Sequence, residues 1–413
     1  HTGADATEVF KEMHFRSRKA HKVLNSLPSR ALPKAVRSTR RPTDGADAAV
    51  IQNFDKFREN LVVEGFFEPS PLHVAYRLVE LAAIYAFGVY LFSLRSSAAI
   101  AAAILVHGLF GARCGWVQHE GGHCSLTGNV WLDKRLQAMT IGFGLGACGA
   151  MWNSMHNKHH ATPQKIGHDM DLDTTPLAAF YSTAVETNRP RGFSRLWSRF
   201  QAYTFLPFTS GVFVMAFWLL YLHPRECIRK GLAEQFAWML LSHVGRTYAI
   251  MQVTGWSVGS AYAAFAACMW CSGVYLFGHF SLSHTHLDVV ERLDHPSWVH
   301  YAVNHTVDIS PHNPIVNWIM GYLNCQVVHH LFPQMPQFRQ PEVSKRLAVF
   351  CSENGLEYKV LNYFGAIYAT FKNLDDVGKG YYEHGTNKDE IARSKRDLTQ
   401  LKGRPVQAKP KAQ

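Results

Sequence analysis

Four stretches of this chain are long and apolar enough to cross a bilayer, and no other feature restricts the fold as strongly. A span takes about 20 apolar residues wound as a helix, because backbone groups in hydrocarbon must be satisfied within their own segment. The stretches cover residues 76–94, 97–117, 203–222 and 257–280. Only a few residues around Arg95 join the first two, which predicts a tight helical hairpin. A fifth apolar stretch, 233–256, carries His243 and Arg246 near its middle. A charge at the centre of a span costs roughly 3 kcal/mol on insertion scales, so an interfacial or re-entrant helix is expected there. The expected fold is an all-α integral membrane protein with four transmembrane helices, interfacial helices and a cytosolic histidine-rich cap.

The formal charge is +11, and 23 of the 413 residues are histidine. Basic charge alone would admit a nucleic-acid partner. Apolar residues in long blocks argue for a membrane surface instead, and no nucleic acid is expected. Lys134, Arg135, Lys158, Lys165, Arg189, Arg191, Arg195 and Arg199 crowd the polar segment 118–201, which the positive-inside tendency places in the cytosol. The eight cysteines lack paired spacing apart from Cys268 and Cys271 in an apolar run, which points to reduced thiols. A Pro- and Arg-rich linker, within 28–50, precedes a helix with Phe54, Phe57 and Leu61 on one face. Residues 386–413 read as a basic, disordered tail.

Three histidine clusters lie just outside the apolar stretches. "QHEGGH" places His119 and His123 at i and i+4, one above the other on a helix. "MHNKHH" places His156, His159 and His160 on one helical face, and "QVVHH" repeats that spacing with Gln326, His329 and His330. With four spans, all three clusters fall on one side of the membrane and can converge. Seven imidazoles are too many for one ion and suit two, each keeping an open position. A two-iron centre is the best fit on ligand number. "GHFSLSHTHL" adds candidates: His286 ranks first because it is farthest toward the aqueous side, then His284, with His279 read as a packed helix residue. Asp169, Asp171 and Asp173 open like a calcium loop, but Thr174 and Phe180 stand where glycine and glutamate are needed. They remain candidates for orienting ligand imidazoles, for helix capping or for simple solvation.

Those boxes, "HEGGH", "HNKHH" and "QVVHH", resemble the signature of the membrane fatty-acyl desaturases. Glutamine opening the third box resembles the front-end subgroup, which inserts a double bond between an existing one and the carboxyl end. "WNSMHNKHHATPQKIGHDMDLDTTP", "SHTHLDVV" and "NWIMGYLNCQVVHHLFPQMPQFRQPEV" extend the likeness over a desaturase domain at 51–385, and look like algal Δ6 enzymes that use acyl-CoA. The resemblance implies His119, His123, His156, His159, His160, His329 and His330 as iron ligands, with a further ligand near the end of the fourth span, placed on His286. Gln326 is open between weak ligand, hydrogen-bond partner and helix cap. It further implies oxygen as cosubstrate, a membrane lipid setting, an acyl-CoA or acyl-lipid substrate, and electrons from cytochrome b5 reductase through cytochrome b5. The endoplasmic reticulum is the implied membrane. Arg189, Arg191 and Arg339 are candidates for a basic substrate mouth. Residues 1–27 are similar to the latter part of a cytochrome b5 module, with His14 at its second haem ligand. The His-Pro-Gly-Gly motif of such modules is missing, so haem is expected only with a complete module and the chain to begin inside one.

Other readings fit part of the pattern. His119-Glu120-Gly121-Gly122-His123 matches the His-Glu-x-x-His of zinc proteases, with Glu120 as base, but leaves two clusters without work. Acyl hydroxylation, Δ5 or Δ8 front-end desaturation and sphingoid-base desaturation share the box spacing. A transporter would place its histidines inside the spans, where only His107 and His243 lie.

Overall fold

The computed structural model describes residues 6–31, 45–182, 193–291, 294 and 296–384. The linker at 32–44, the tail, and Arg189 and Arg191 lie outside the described residues. Four helices are long and apolar enough to cross a membrane: Pro71–Ser93, Ser97–Gly122, Gln201–Lys230 and Val258–Ser283. The chain is therefore an all-α integral membrane protein. Each helix is longer than the apolar stretch it contains, and three of them begin at a serine cap. Ser70, Ser96 and Ser257 each accept a hydrogen bond from a backbone amide three residues on, satisfying a donor that the first turn leaves free.

The second span is the axis of the bundle. Its Gly108, Gly111 and Gly115 lie on one face, where an added Cβ would come within 2.6 Å of Cys271, Ser272 or Leu276 of the fourth span. Small residues at this spacing let two backbones approach closely in lipid. The first span packs on its other side through Leu81 and Phe92, and the hairpin turns at Arg95 with φ 57°. Residues 233–254 form a nearly continuous helix that is not among the four spans. It packs against the first and fourth spans and against the Val130–Met139 helix and its wide last turn, Thr140–Gly144.

The cap rests on one end of this bundle. Gly45–Val63 buries Phe54 and Leu61, with Phe57 half-buried, against Val327, Val328, Leu331 and Phe332 of the third box. The short helix Gln326–Leu331 has every residue buried. The N-terminal helix Thr7–Met13 docks on the same body. Its Glu12 pairs with Arg58 at 2.5 Å, and Met13 O accepts from Gln334 Nε2 at 2.7 Å. The only sheet among the described residues is a parallel pair, Asp308–Ile309 with Val360–Leu361.

Candidate metal centre

Each histidine box is delivered by a helix end. The second span continues to Gly122 and carries His119, with His123 at its C-cap. Both glycines of this box are places where another residue comes close. A Cβ at Gly122 would stand 2.4 Å from the Trp152 ring, and one at Gly121 would stand 2.9 Å from Asp133 O. His156, His159 and His160 line the buried face of Gly149–Ala161. His329 and His330 are on Gln326–Leu331, whose entry is pinned where Val327 N donates to Asp308 Oδ1 at 2.7 Å. Tyr358 holds the other oxygen of Asp308.

These elements bring eight imidazoles into two groups. Ligand nitrogens of His119, His123, His156, His160 and His329 all lie within 4.8 Å of one another, as do those of His159, His284 and His330. The groups touch where His160 and His330 stack, centroids 4.2 Å apart. His160 Nε2 stands 3.1 Å from His156 Nε2 and 3.0 Å from His329 Nε2. Neighbouring donors about 2.1 Å from one octahedral ion would be roughly 3.0 Å apart, so this spacing suits a shared cation. All eight residues are at least nine-tenths buried. His123 Nε2, His160 Nδ1, His329 Nδ1 and both nitrogens of His330 have no hydrogen-bond partner among the described residues. Buried imidazoles without partners are costly unless something else meets them, and the donor set fits a metal centre.

Outer partners choose the tautomers. His159 Nδ1 donates to Asp169 Oδ2 at 2.9 Å, which turns Nε2 toward the group. Asp169 is itself ordered by Gln164 N at 2.8 Å and Asp171 N at 2.9 Å. Burial pulls His159 down, but the Asp169 carboxylate and its hydrogen bond, with Asp171, push it up to about 9. Burial, with repulsion among neighbouring rings, holds His156, His160, His284 and His330 well below the ordinary imidazole value, neutral and able to bind a cation. The side-chain amide of Gln337 meets His119 Nδ1 at 2.9 Å while its oxygen has no partner. A half-turn of the amide lets that oxygen accept from Nδ1–H and frees His119 Nε2. Trp152 stacks on His156 at 4.2 Å and meets His119 edge-on at 5.2 Å, closing that side of the five-ring group.

The structure corrects one ranking. His284, at the end of the short turn Ser281–Ser283, joins His159 and His330, whereas His286 does not. His286 Nδ1 faces Thr370 Oγ1 at 3.4 Å instead. Length of chain past the span was a poor guide, because the turn folds the first of the two residues back over the site. His279 bonds Tyr275 O at 2.7 Å and Tyr363 Oη at 2.9 Å, away from both groups. Gln326 does face the site: its side-chain nitrogen is 2.8 Å from His284 Nε2. Glu120 Oε1 accepts from Gln337 N at 3.0 Å. Arg339 donates to Glu68 O at 3.0 Å and lies over Phe338. His14 caps the first helix among Phe10 and His21. Asp308, Gln337, Gln164 and Trp152 were not singled out from sequence.

Comparison with known proteins bears on this site. The sequence model of the fatty acid desaturase family matches residues 95–362. An acyl-lipid (8-3)-desaturase of Rebecca salina is 43% identical over 378 residues, covering 91% of this chain and 84% of that protein. An acyl-lipid (8-3)-desaturase of a Thraustochytrium species is 39% identical over 376 residues, covering 91% and 85%. The Delta(8)-fatty-acid desaturase of Euglena gracilis is 25% identical over 405 residues, covering 91% of each.

Proposed function

The chain belongs to the fatty acid desaturase family, among its front-end members, and from that premise we propose that it desaturates polyunsaturated acyl chains at a two-iron centre. A fatty acyl substrate in a membrane setting follows from the family. The observation that carries the metal reading is the convergence of eight buried imidazoles from three distant boxes and the turn after the fourth span. His119, His123, His156, His160 and His329 would hold one iron, and His159, His284 and His330 the other. Iron held by these residues, with electrons from cytochrome b5 and its reductase, would supply the oxygen-dependent removal of hydrogen from two adjacent methylenes. The balance is CH2–CH2 with O2, two electrons and two protons giving CH=CH and two waters.

The chain's own residues do the remaining work. Asp169 and Gln337 hold ring tautomers, Trp152 and the buried box helices exclude water, and Asp308 anchors the third box. Gln326 offers the three-ring group a neutral amide oxygen as a weak fourth donor once its nitrogen leaves His284. A hydrocarbon gives the enzyme no polar handle at the reacting carbons. Regioselectivity therefore comes from how the head group is held and how far the chain reaches. The names of the two relatives at 43% and 39% favour an acyl-lipid substrate and (8-3) position over the acyl-CoA and Δ6 expectations. The basic residues of 118–201 support an active site on the cytosolic face of the membrane.

The test is expression in yeast fed defined polyunsaturated acids, with product double bonds located in phospholipid and acyl-CoA pools. A new double bond on the carboxyl side of the existing ones, arising first in phospholipid, is expected. Its absence for every acid supplied would defeat the front-end reading, and first appearance in acyl-CoA would defeat the acyl-lipid one.

A further inference from the structure

The first span carries none of the eight imidazoles, yet it turns two charged side chains inward. Arg77 is fully buried, and the Glu80 side chain is 10% exposed. They share one helical face, with Arg77 Nε 3.8 Å from Glu80 Oε2. Their partners on the second span are Arg113 and Glu120, both buried and also on one helical face. Arg113 donates to Glu80 Oε2 from Nη2 at 2.7 Å and from Nε at 3.2 Å. The charges of Glu120 and Glu80 both act on Arg77, and Arg77 is the cation that acts on Glu120. The guanidinium nitrogens of Arg77 and Glu120 Oε2 make no hydrogen bond among the described residues, so the tie between them is one of charge. A lone charge is costly inside a bundle; two guanidinia with two carboxylates make a neutral quartet.

Each half of this quartet grips a different side of the third box. On the entering side, Trp318 Nε1 donates to Glu80 Oε1 at 2.7 Å, and Arg113 Nη1 donates to Trp318 O. The Arg113 guanidinium also lies over the Trp318 ring at 4.7 Å. Trp116, the next turn of the second span, donates to Ile319 O at 3.0 Å. These contacts seat Pro314–Ile319, the short helix that leads into Gln326–Leu331. On the leaving side, Glu120 holds Gln337 N, and the Gln337 amide meets His119. His329 and His330 lie between the two grips in the chain. The span that supplies Arg113 and Glu120 also carries His119, with His123 at its cap.

We propose that Arg77 and Glu80 are positioning residues for the metal centre. From a span that bears no ligand, they hold both approaches to the third box in register with the first, through Arg113 and Glu120. The inference rests on the metal reading of the eight rings. Well-packed apolar side chains stabilise a bundle about as well as a buried ion-pair network, so stability alone does not account for four charges here. The contacts at the far ends of the network, on Trp318 and Gln337, do.

The experiment is a cobalt(II) titration of the full chain, purified in detergent from iron-poor medium. It is read by the ligand-field absorption of the bound ion, below the thermal midpoint of every variant. Glu80→Gln keeps the shape and leaves two guanidinia facing one carboxylate; Arg77→Met removes the cation behind Glu120. Each should raise the half-saturating cobalt concentration about tenfold and shift the absorption bands, as loss of an outer partner does. Adding Glu120→Gln to Arg77→Met should cost little more, because both break one connection. Phe92→Leu, in the apolar cluster at the far end of the first span, should lower the thermal midpoint and leave affinity and bands as in wild type. If Arg77→Met does not fold, Glu80→Gln decides alone. Wild-type affinity and bands in Glu80→Gln would make the network purely structural and overturn the proposal. So would the same cobalt change in Phe92→Leu. A wild-type chain that takes up no cobalt would defeat the metal reading itself.

Discussion

The two histidine groups sit side by side yet are built unequally. Five rings converge in one, drawn from all three boxes and shielded by Trp152. Three rings make the other, with Asp169 behind His159 and the amide of Gln326 against His284. A cation in the first would be nearly saturated by imidazole, while one in the second would keep several positions for smaller ligands. Crowding suits retention and sparseness suits exchange. The difference teaches that the glutamine of the third box belongs to the sparse side, where an imidazole would close a position that an amide only occupies weakly.

Variants that strike one group or both put this contrast at risk. His160→Ala should have the largest effect, because its ring belongs to the five-ring group and stacks on His330 of the other. Elemental analysis should show metal falling by more than half and activity falling to background; retention of full metal would remove His160 from the centre. Asp169→Asn should weaken only the three-ring group, by roughly 10–100-fold in metal affinity, as loss of an outer partner does. Equal loss from both groups would contradict the division. Gln326→His should retain metal and slow turnover several-fold, since it fills the sparse side. Unchanged turnover would strip the amide of any role.

The smallest expected effect concerns the anchor of the third box. Burial pushes Asp308 up to about 7 from its ordinary 3.8, against hydrogen bonds from Tyr358 and Val327. The folded chain then holds this proton more tightly than the unfolded one. Its contribution to stability is full below about pH 4 and is lost as the pH rises through about 7. Asp308→Asn, read by denaturation midpoints across that window, should flatten the slope. A slope identical to wild type would place the titration elsewhere.

Much of this architecture was written in local pattern. Spans announce themselves by composition, and the seven box histidines by recurrence on one helical face. The eighth ring of the cluster, His284, ranked only second from sequence because the turn at Ser281–Ser283 has no such periodicity, and direction of chain past the span pointed to His286. Partners that order the rings were harder still. Gln337 reaches His119 across 218 residues of sequence, and Asp308 reaches Val327 through tertiary folding of the cap. Asp169 was accessible among three alternatives because it lies ten residues from His159, near enough for its role to be weighed from sequence. Arg246 marked the 233–254 helix as unlike a simple span, and its contacts with Gly144 and the aromatic rings explain why a charge is tolerated there.

Metal content of the purified full-length protein tests the account most directly. Two irons per chain and no stoichiometric zinc are predicted, falling toward one in Asp169→Asn. A single tightly held zinc, or a wild-type protein that desaturates acyl chains with no iron bound, would contradict it.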